Sequence, residues 1–153
     1  MIALADATES VDRTMKLFRT VPALRDAVWR AFTDRDGYAA WMAPNGLKAE
    51  RCDLDVRPGG RYRLYLRTPD GEERIVSGEF NEVIPNERLA FTWGWEKNGK
   101  RGTETNVTVE LRDDEKGTKL KVTQSVFETL ESHDEHAQGW EGSLGGLEAY
   151  LAR

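Results

Sequence analysis

Apolar and polar residues alternate strictly along the middle of the chain. In the segment 61–67, tyrosine and leucine side chains alternate with arginines, and in 89–95 apolar side chains occupy every other position. Period-two alternation is typical of strands with one buried and one exposed face. Turn residues such as Pro58-Gly59-Gly60 and Asn98-Gly99 separate the segments, and Ala43-Pro44-Asn45-Gly46 breaks the chain before them. Gly78 lies inside the longer segment 75–84 and indicates a bend or bulge. The pattern predicts an initial strand at 15–21 and then an antiparallel meander of six strands.

Helical spacing replaces the alternation at two places. Between the first strand and the meander, apolar residues recur at helical spacing from Leu24 to Phe32, and Thr33-Asp34 caps a second short helix that reaches Trp41. From His133 to Leu151 one apolar stripe runs along a predicted terminal helix, with Ser143 at its edge. The stripe consists of His136, Trp140, Leu144, Leu147 and Leu151.

The sheet and the terminal helix each have one apolar surface to bury. The helix is about 28 Å long at 1.5 Å per residue, and six strands at about 4.8 Å make a sheet of similar width. The apolar face of the sheet and the apolar stripe of the helix are therefore predicted to pack against each other. The predicted fold is α+β, with a curved antiparallel sheet of six to seven strands wrapped around the C-terminal helix.

Length and charge narrow the class of protein. The 153 residues fit one domain, which we place at 14–153 after a flexible leader at 1–13. A net charge of −5 and the lack of a basic face argue against nucleic-acid binding. No apolar run approaches the ~18 residues of a membrane span. The lone Cys52 cannot form an internal disulfide, and the start lacks signal-peptide features, so we expect a cytoplasmic protein.

Four ordered motifs resemble the START-like (SRPBCC) superfamily and, within it, the domain of the activator of heat-shock protein 90 ATPase. They are 22–34 followed by Trp41, 58–62, 85–93, and Gly139-Trp140 with the leucines after it. The resemblance covers residues 14–151 and implies a helix-grip fold that encloses a cavity between sheet and helix. Relatives bind apolar small molecules, cyclise polyketides or act as co-chaperones. Met42 stands where many relatives have a second Trp, which is expected to alter the mouth of the pocket.

The resemblance and the apolar pattern together nominate a ligand-binding set. Aromatic stripes usually belong to the hydrophobic core, and this is the expected position of Phe91 and Trp93. Trp95 lies near a strand end, where a cavity would open, and is predicted to be part of the pocket wall. The nominated residues are Trp41, Met42, Tyr62, Leu64, Phe91, Trp93, Trp95, His136, Trp140, Ser143 and Leu144. Large, mostly apolar pockets with few polar groups are typical ligand sites.

Catalytic and metal sites find little support in the sequence. His136 is either a satisfied structural histidine or a group that orients a ligand or transfers a proton. His133 and His136 have metal-capable spacing, but no motif fixes a third ligand. We expect no catalytic residue, no metal and no cofactor. If the protein is an enzyme, it is cyclase-like, with His136 or Tyr62 as the polar participant.

The terminal helix contains four glycines, each of which costs about 1 kcal/mol relative to alanine in a helix interior. Gly139, Gly142, Gly145 and Gly146 permit a close approach of the helix to the sheet, leave room for a ligand, or do both. Cys52 is predicted to be a core thiol. The three arginines of 61–67 are predicted on the outer sheet face.

Three functions from different classes stay open at this stage. The first is a module that binds an apolar or amphipathic small molecule. The second is a chaperone-linked interaction domain. The outer-face charges are either solvated or a patch for an acidic protein; they are Arg61, Arg63 and Arg67, with Lys119 and Lys121 on another strand. The third is a cyclase-like enzyme. The protein is expected to be a monomer or a homodimer.

Overall fold

The structure is a computed structural model that describes residues 14–43, 47–125, 127 and 129–153. The leader predicted at 1–13 and the chain break predicted at Pro44-Asn45-Gly46 lie outside the described residues.

The elements follow the predicted order. In sequence they are β1 (Met15–Val21), α1 (Arg25–Thr33), α2 (Arg35–Met42), β2 (Lys48–Leu54), β3 (Arg61–Arg67), β4 (Glu73–Ile84), β5 (Arg88–Lys97), β6 (Lys100–Arg101), β7 (Thr105–Asp114), β8 (Gly117–Ser125) and α3 (Leu130–Leu151). The sheet order is β1-β8-β7-β5-β4-β3-β2, with the two-residue β6 paired to β5. Each paired strand is antiparallel. The predicted helix-grip fold is confirmed.

Alternation of side chains sets the two faces of the sheet. Along β3 the side chains of Tyr62, Leu64 and Leu66 are buried. The arginines between them lie on the other face, where Arg63 forms an ion pair with Glu96 at 2.5 Å. The sheet therefore has an apolar inner face and a charged outer face, as the sequence predicts.

Local signals fix the turns and the helix starts. Asn98 and Gly99 have φ values of 53° and 78°, which is the hairpin geometry favoured by an Asn-Gly pair. Asp34 Oδ2 accepts a hydrogen bond from Gly37 N at 2.9 Å and caps α2. Helix α3 begins at Leu130, three residues before the predicted start, because Thr129 Oγ1 caps it through Ser132 N at 3.0 Å. Leu130 is 54% exposed, so apolar periodicity gives no sign of this first turn.

The ladder between β4 and β5 shifts register between Phe80 and Glu82, close to Gly78 and within the segment where the sequence predicts a bend or bulge. A Cβ atom on Gly78 would lie 1.8 Å from the carbonyl oxygen of Thr92. That carbonyl accepts a hydrogen bond from Tyr62 Oη at 2.6 Å, while Thr92 Oγ1 accepts one from Glu79 N at 2.9 Å. A glycine is required here because Thr92 and the tyrosine ring occupy the space of a side chain.

The core lies between the inner face of the sheet and the three helices. Cys52 is buried there as a free thiol, as expected. Burial raises the pKa of the Cys52 thiol to about 11, so it stays protonated and unreactive at neutral pH. None of the described helices is long and apolar enough to cross a membrane.

Candidate functional site: a cavity beneath the terminal helix

A cavity of about 490 Å³ lies between the inner face of the sheet and the N-terminal half of α3. Apolar side chains form most of its wall: Met42, Leu47, Leu64, Leu66, Trp93, Trp95 and Trp140. Helix α3 contributes Ser132, His136, Gly139 and Ser143. Charged residues stand at the rim: Glu72, Glu73, Arg74, Glu96, Lys97 and Glu135. The size and the apolar lining are those of small-molecule sites.

The structure brings many of the nominated residues to this cavity and places the others in the adjacent core. Those that line it are Met42, Leu64, Trp93, Trp95, His136, Trp140 and Ser143. Those that do not are Trp41, Tyr62, Phe91 and Leu144, all of them buried. Trp41 Nε1 donates to the carbonyl of Ala31 at 2.7 Å, and Phe91 packs edge-on against Tyr62 at 5.5 Å between ring centroids.

The position of Met42 differs from the expectation. It was expected at the mouth of the pocket, but it is only 4% exposed and belongs to the inner wall. The last turn of α2 is held against α3, because Ser143 Oγ donates a hydrogen bond to the Met42 carbonyl at 3.0 Å. This contact between helices far apart in sequence buries the side chain.

Three indole rings cluster on the cavity wall. The ring centroids of Trp93 and Trp95 are 5.7 Å apart with planes at 89°, and those of Trp93 and Trp140 are 5.8 Å apart with planes at 40°. Both separations lie in the range at which aromatic pairs attract each other. The three rings form a continuous apolar part of the cavity wall.

A buried polar chain fixes Trp140 in this cluster. Trp140 Nε1 donates to Gln124 Oε1 at 2.8 Å, and Gln124 Nε2 donates to Thr105 Oγ1 at 2.8 Å. Thr105 Oγ1 in turn donates to the Trp93 carbonyl at 3.3 Å. Sequence reasoning missed Gln124, which is completely buried. Gln124 could have been identified as a polar residue at an inward-facing position of β8, because it alternates in phase with the buried Leu120 and Val122.

Trp93 has a different hydrogen-bonding state from its neighbours. Its side chain is 5% exposed. Its indole nitrogen, Nε1, has no hydrogen-bond partner, and it is the one buried side-chain nitrogen or oxygen of the described residues in that state. An unpaired buried donor costs about 1–3 kcal/mol. The indole N–H is therefore an unused hydrogen-bond donor.

His136 is held as a neutral ring with a fixed tautomer. Its Nδ1 lies 2.7 Å from the Ser132 carbonyl oxygen. Because a carbonyl only accepts, Nδ1 carries the proton, and Nε2 accepts a hydrogen bond from Trp95 Nε1 at 3.0 Å. Burial lowers the pKa of His136 below its ordinary value, against smaller opposing effects of the Ser132 hydrogen bond and Glu135. The neutral form is thus favoured.

The polar groups considered for catalysis are both engaged within the protein. Both ring nitrogens of His136 hold hydrogen bonds. Tyr62 Oη donates to a backbone carbonyl, and burial raises its pKa well above its ordinary value. In this arrangement neither group is free to exchange a proton with a ligand.

The rim carries charges of both signs. Glu96 is bound to Arg63 on the outer side, and that hydrogen bond lowers the pKa of the Glu96 carboxyl group. Arg74 and Lys97 are the basic residues of the rim. Glu72 and Glu135 supply compensating negative charge. With Glu73, four of the six charged rim residues are acidic and two are basic, so the mouth is polar with an excess of acidic side chains.

The two histidines do not form a metal centre. His133 Nδ1 lies 2.9 Å from Asp134 Oδ1 on the helix surface, whereas His136 points to Trp95. In the part of the chain that the structure describes, no group of three or more histidine, cysteine, aspartate or glutamate residues is arranged to hold a metal ion.

The curved antiparallel sheet, the long terminal helix and the cavity between them define a START-like helix-grip protein. Residues 22–152 match the family of Activator of Hsp90 ATPase homolog 1-like proteins. The chain belongs to this family.

Solved structures of bacterial proteins agree with this assignment. The AHSA1 protein of Silicibacter pomeroyi is 27% identical, with a TM-score of 0.84 over 91% of this chain and 97% of that chain. Protein CV1439 of Chromobacterium violaceum is 26% identical, with a TM-score of 0.82 over 92% of this chain and 98% of that chain. The comparison with curated proteins gives no match.

Proposed function

We propose that this protein binds an apolar or amphipathic small molecule in the cavity beneath α3. The observation that carries the proposal is the cavity of about 490 Å³ with three indole rings on its wall. Burial of apolar ligand surface contributes roughly 25 cal/mol per Å², and the rings of Trp93 and Trp140 already pack against each other in this wall.

The distribution of polar groups defines how such a ligand is oriented. The apolar wall lies inside and the charged residues lie at the rim. An amphipathic molecule would place its apolar body against the indole rings and any charged group at the mouth, where the charge stays hydrated. A charge inside the cavity would lose its hydration without a compensating partner.

A cavity-filling variant tests the proposal. No atom lies within 4 Å of the position that a Cβ atom on Gly139 would occupy, and Gly139 lines the cavity. We expect Gly139→Leu to fill the space and to lose most binding of the uncharged dye Nile red, measured by fluorescence titration.

Gly145→Leu is the matched control. Gly145 lies on the same helix, outside the cavity lining, and its nearest neighbour to an added Cβ is the end of the Arg19 side chain at 3.9 Å. This variant should bind the dye as the parent protein does. Equal dye affinity in both leucine variants, with circular dichroism showing both folded, would contradict ligand binding in this cavity.

A chaperone-linked interaction is the second candidate, supported by the family description and by one surface feature. Phe18 on β1 is 58% exposed, and the ammonium groups of Lys119 and Lys121 lie 5.4 and 5.8 Å from its ring centroid. An exposed aromatic ring between two cations suits an acidic partner. The test is ATPase stimulation of an Hsp90-type chaperone by the parent protein and by Phe18→Ser. Absence of stimulation by the parent protein would reject this candidate.

A further inference from the structure

The cavity beneath α3 is separated from a smaller one by a thin wall. The second cavity, of about 200 Å³, is lined by Thr103 and Thr105 together with four residues that also line the first. The shared residues are Trp93, Trp95, Ser132 and His136. They form the partition between the two spaces.

One hydrogen bond between side chains joins the two sides of this partition. Trp95 Nε1 on β5 donates to His136 Nε2 on α3 at 3.0 Å. Trp95 is half-buried near the end of its strand, so its indole is less enclosed than those of Trp93 and Trp140, which are buried. His136 is held independently by its own bond to Ser132, and it would keep its orientation if Trp95 moved.

Movement of Trp95 would create a complementary pair of polar groups. His136 Nε2 would become a free acceptor, because its donor has left. Trp93 Nε1 is already a donor without a partner, and the Trp93 ring lies 6.5 Å from the His136 ring between centroids. Both rings line the two cavities, so a ligand group that takes the place of the Trp95 indole would lie beside both of them, in apolar surroundings that exclude a charged group.

We infer that the ligand carries an uncharged hydroxyl group on an apolar, preferably aromatic, body. This inference rests on the proposed function, and it deepens that function by naming the ligand class. The hydroxyl oxygen accepts a hydrogen bond from Trp93 Nε1, and its proton is donated to His136 Nε2 in place of Trp95. A hydroxyl group is both donor and acceptor, so one group satisfies both protein atoms. The ligand body lies in the larger cavity.

Three matched probes test the inference: 2-naphthol, 2-methoxynaphthalene and naphthalene. The first both donates and accepts, the second only accepts, and the third does neither. A purely apolar cavity prefers naphthalene, since 2-naphthol is the better hydrated. We expect the opposite order, with 2-naphthol about tenfold tighter than naphthalene, the factor given by one net hydrogen bond. The methoxy compound should be weaker than 2-naphthol, because it cannot replace the donor lost by His136.

The indole N–H signals of the five tryptophans report the contacts directly in a ¹⁵N-edited NMR spectrum. We expect 2-naphthol to shift the Trp93 signal and to move the Trp95 signal away from its hydrogen-bonded position. Trp93→Phe removes the donor and should abolish the preference for 2-naphthol. Trp29→Phe is the matched control, since Trp29 lies on α1 outside both cavities, and it should retain that preference.

The outcomes separate this inference from the proposed function. If naphthalene binds as tightly as 2-naphthol in the parent protein, or if the Trp95 signal is unmoved by bound 2-naphthol, the hydroxyl inference is wrong and the binding function stands. If none of the three probes perturbs the Trp93, Trp95 or Trp140 signals, both are wrong. The comparison of probes in the parent protein needs no variant, so misfolding of Trp93→Phe would not prevent a decision.

Discussion

The two halves of helix α3 meet the rest of the protein in different ways. The C-terminal half contacts α2 directly. Ser143 donates to the Met42 carbonyl, and a Cβ atom on Gly146 would lie 2.9 Å from the Trp41 carbonyl oxygen. The N-terminal half reaches the sheet through side chains such as His136, which bonds to Trp95, and it has the cavity beneath it and open space at Gly139.

This difference shows which helix glycine permits close packing and which one leaves space. Gly146 permits close packing, and its partner is the backbone of α2, not the sheet. Gly139 leaves space, and that space belongs to the cavity. One helix thus anchors the fold with one half and leaves room for a ligand with the other. A helix that packed closely along its whole length would be more stable and would enclose no site.

The largest expected effect lies where the two halves meet, at Trp140. Trp140→Ala removes a buried ring and should lower the free energy of unfolding by about 3–5 kcal/mol, measured by urea denaturation. Trp140→Phe keeps most of the ring but leaves Gln124 Oε1 without its donor, so we expect a smaller loss of about 1–3 kcal/mol. An alanine variant as stable as the phenylalanine variant would show that Trp140 does not join the two halves.

A pair of alanine substitutions contrasts the halves directly. Gly146→Ala forces a side chain against the backbone carbonyl of Trp41, so it should destabilise the protein by about 1–3 kcal/mol. Gly139→Ala meets nothing within 4 Å and should raise stability by up to about 1 kcal/mol through helix propensity. Thermal unfolding of the two variants measures both effects. A shift of both melting temperatures in the same direction would contradict the distinction between the halves.

The smallest expected effect is a pH dependence that originates in the N-terminal half. The pKa of His136 is lowered in the folded state by burial, so the unfolded chain takes up the proton first as the pH falls. The contribution of His136 to stability is therefore complete above the ordinary value of 6.5 and is lost as the pH falls from there through the folded-state pKa.

Urea denaturation at a series of pH values measures this effect. We expect His136→Gln to flatten the fall in stability below pH 6.5, since the ring that must be protonated is gone. The same change at His133, which does not contact Trp95, is the control and should leave the fall in place. A steeper decline in His136→Gln than in the parent protein would contradict the sign of the shift.

The sequence by itself determined the elements and much of their chemistry. Period-two alternation identified the strands, Asn98-Gly99 the hairpin, Asp34 the cap of α2, and Gly78 the distortion of a strand. These signals are local: each depends on backbone sterics or on a hydrogen bond within a few residues. Burial of one face per element then made the helix-grip arrangement predictable.

Only the tertiary structure decided which apolar residues line the cavity and which fill the core. Tyr62 and Phe91 share the inward pattern of Leu64 and Trp93, yet neither lines the cavity. Tyr62 lies opposite Gly78 and donates its hydroxyl hydrogen bond to the Thr92 carbonyl. Met42 became part of the inner wall because α3 holds the end of α2. The partners of His136, Trp95 and Trp140, and the lack of one for Trp93, depend on contacts between residues distant in sequence. Periodicity tells which face a side chain is on, but hydrogen bonds and voids are set by how separate elements pack together.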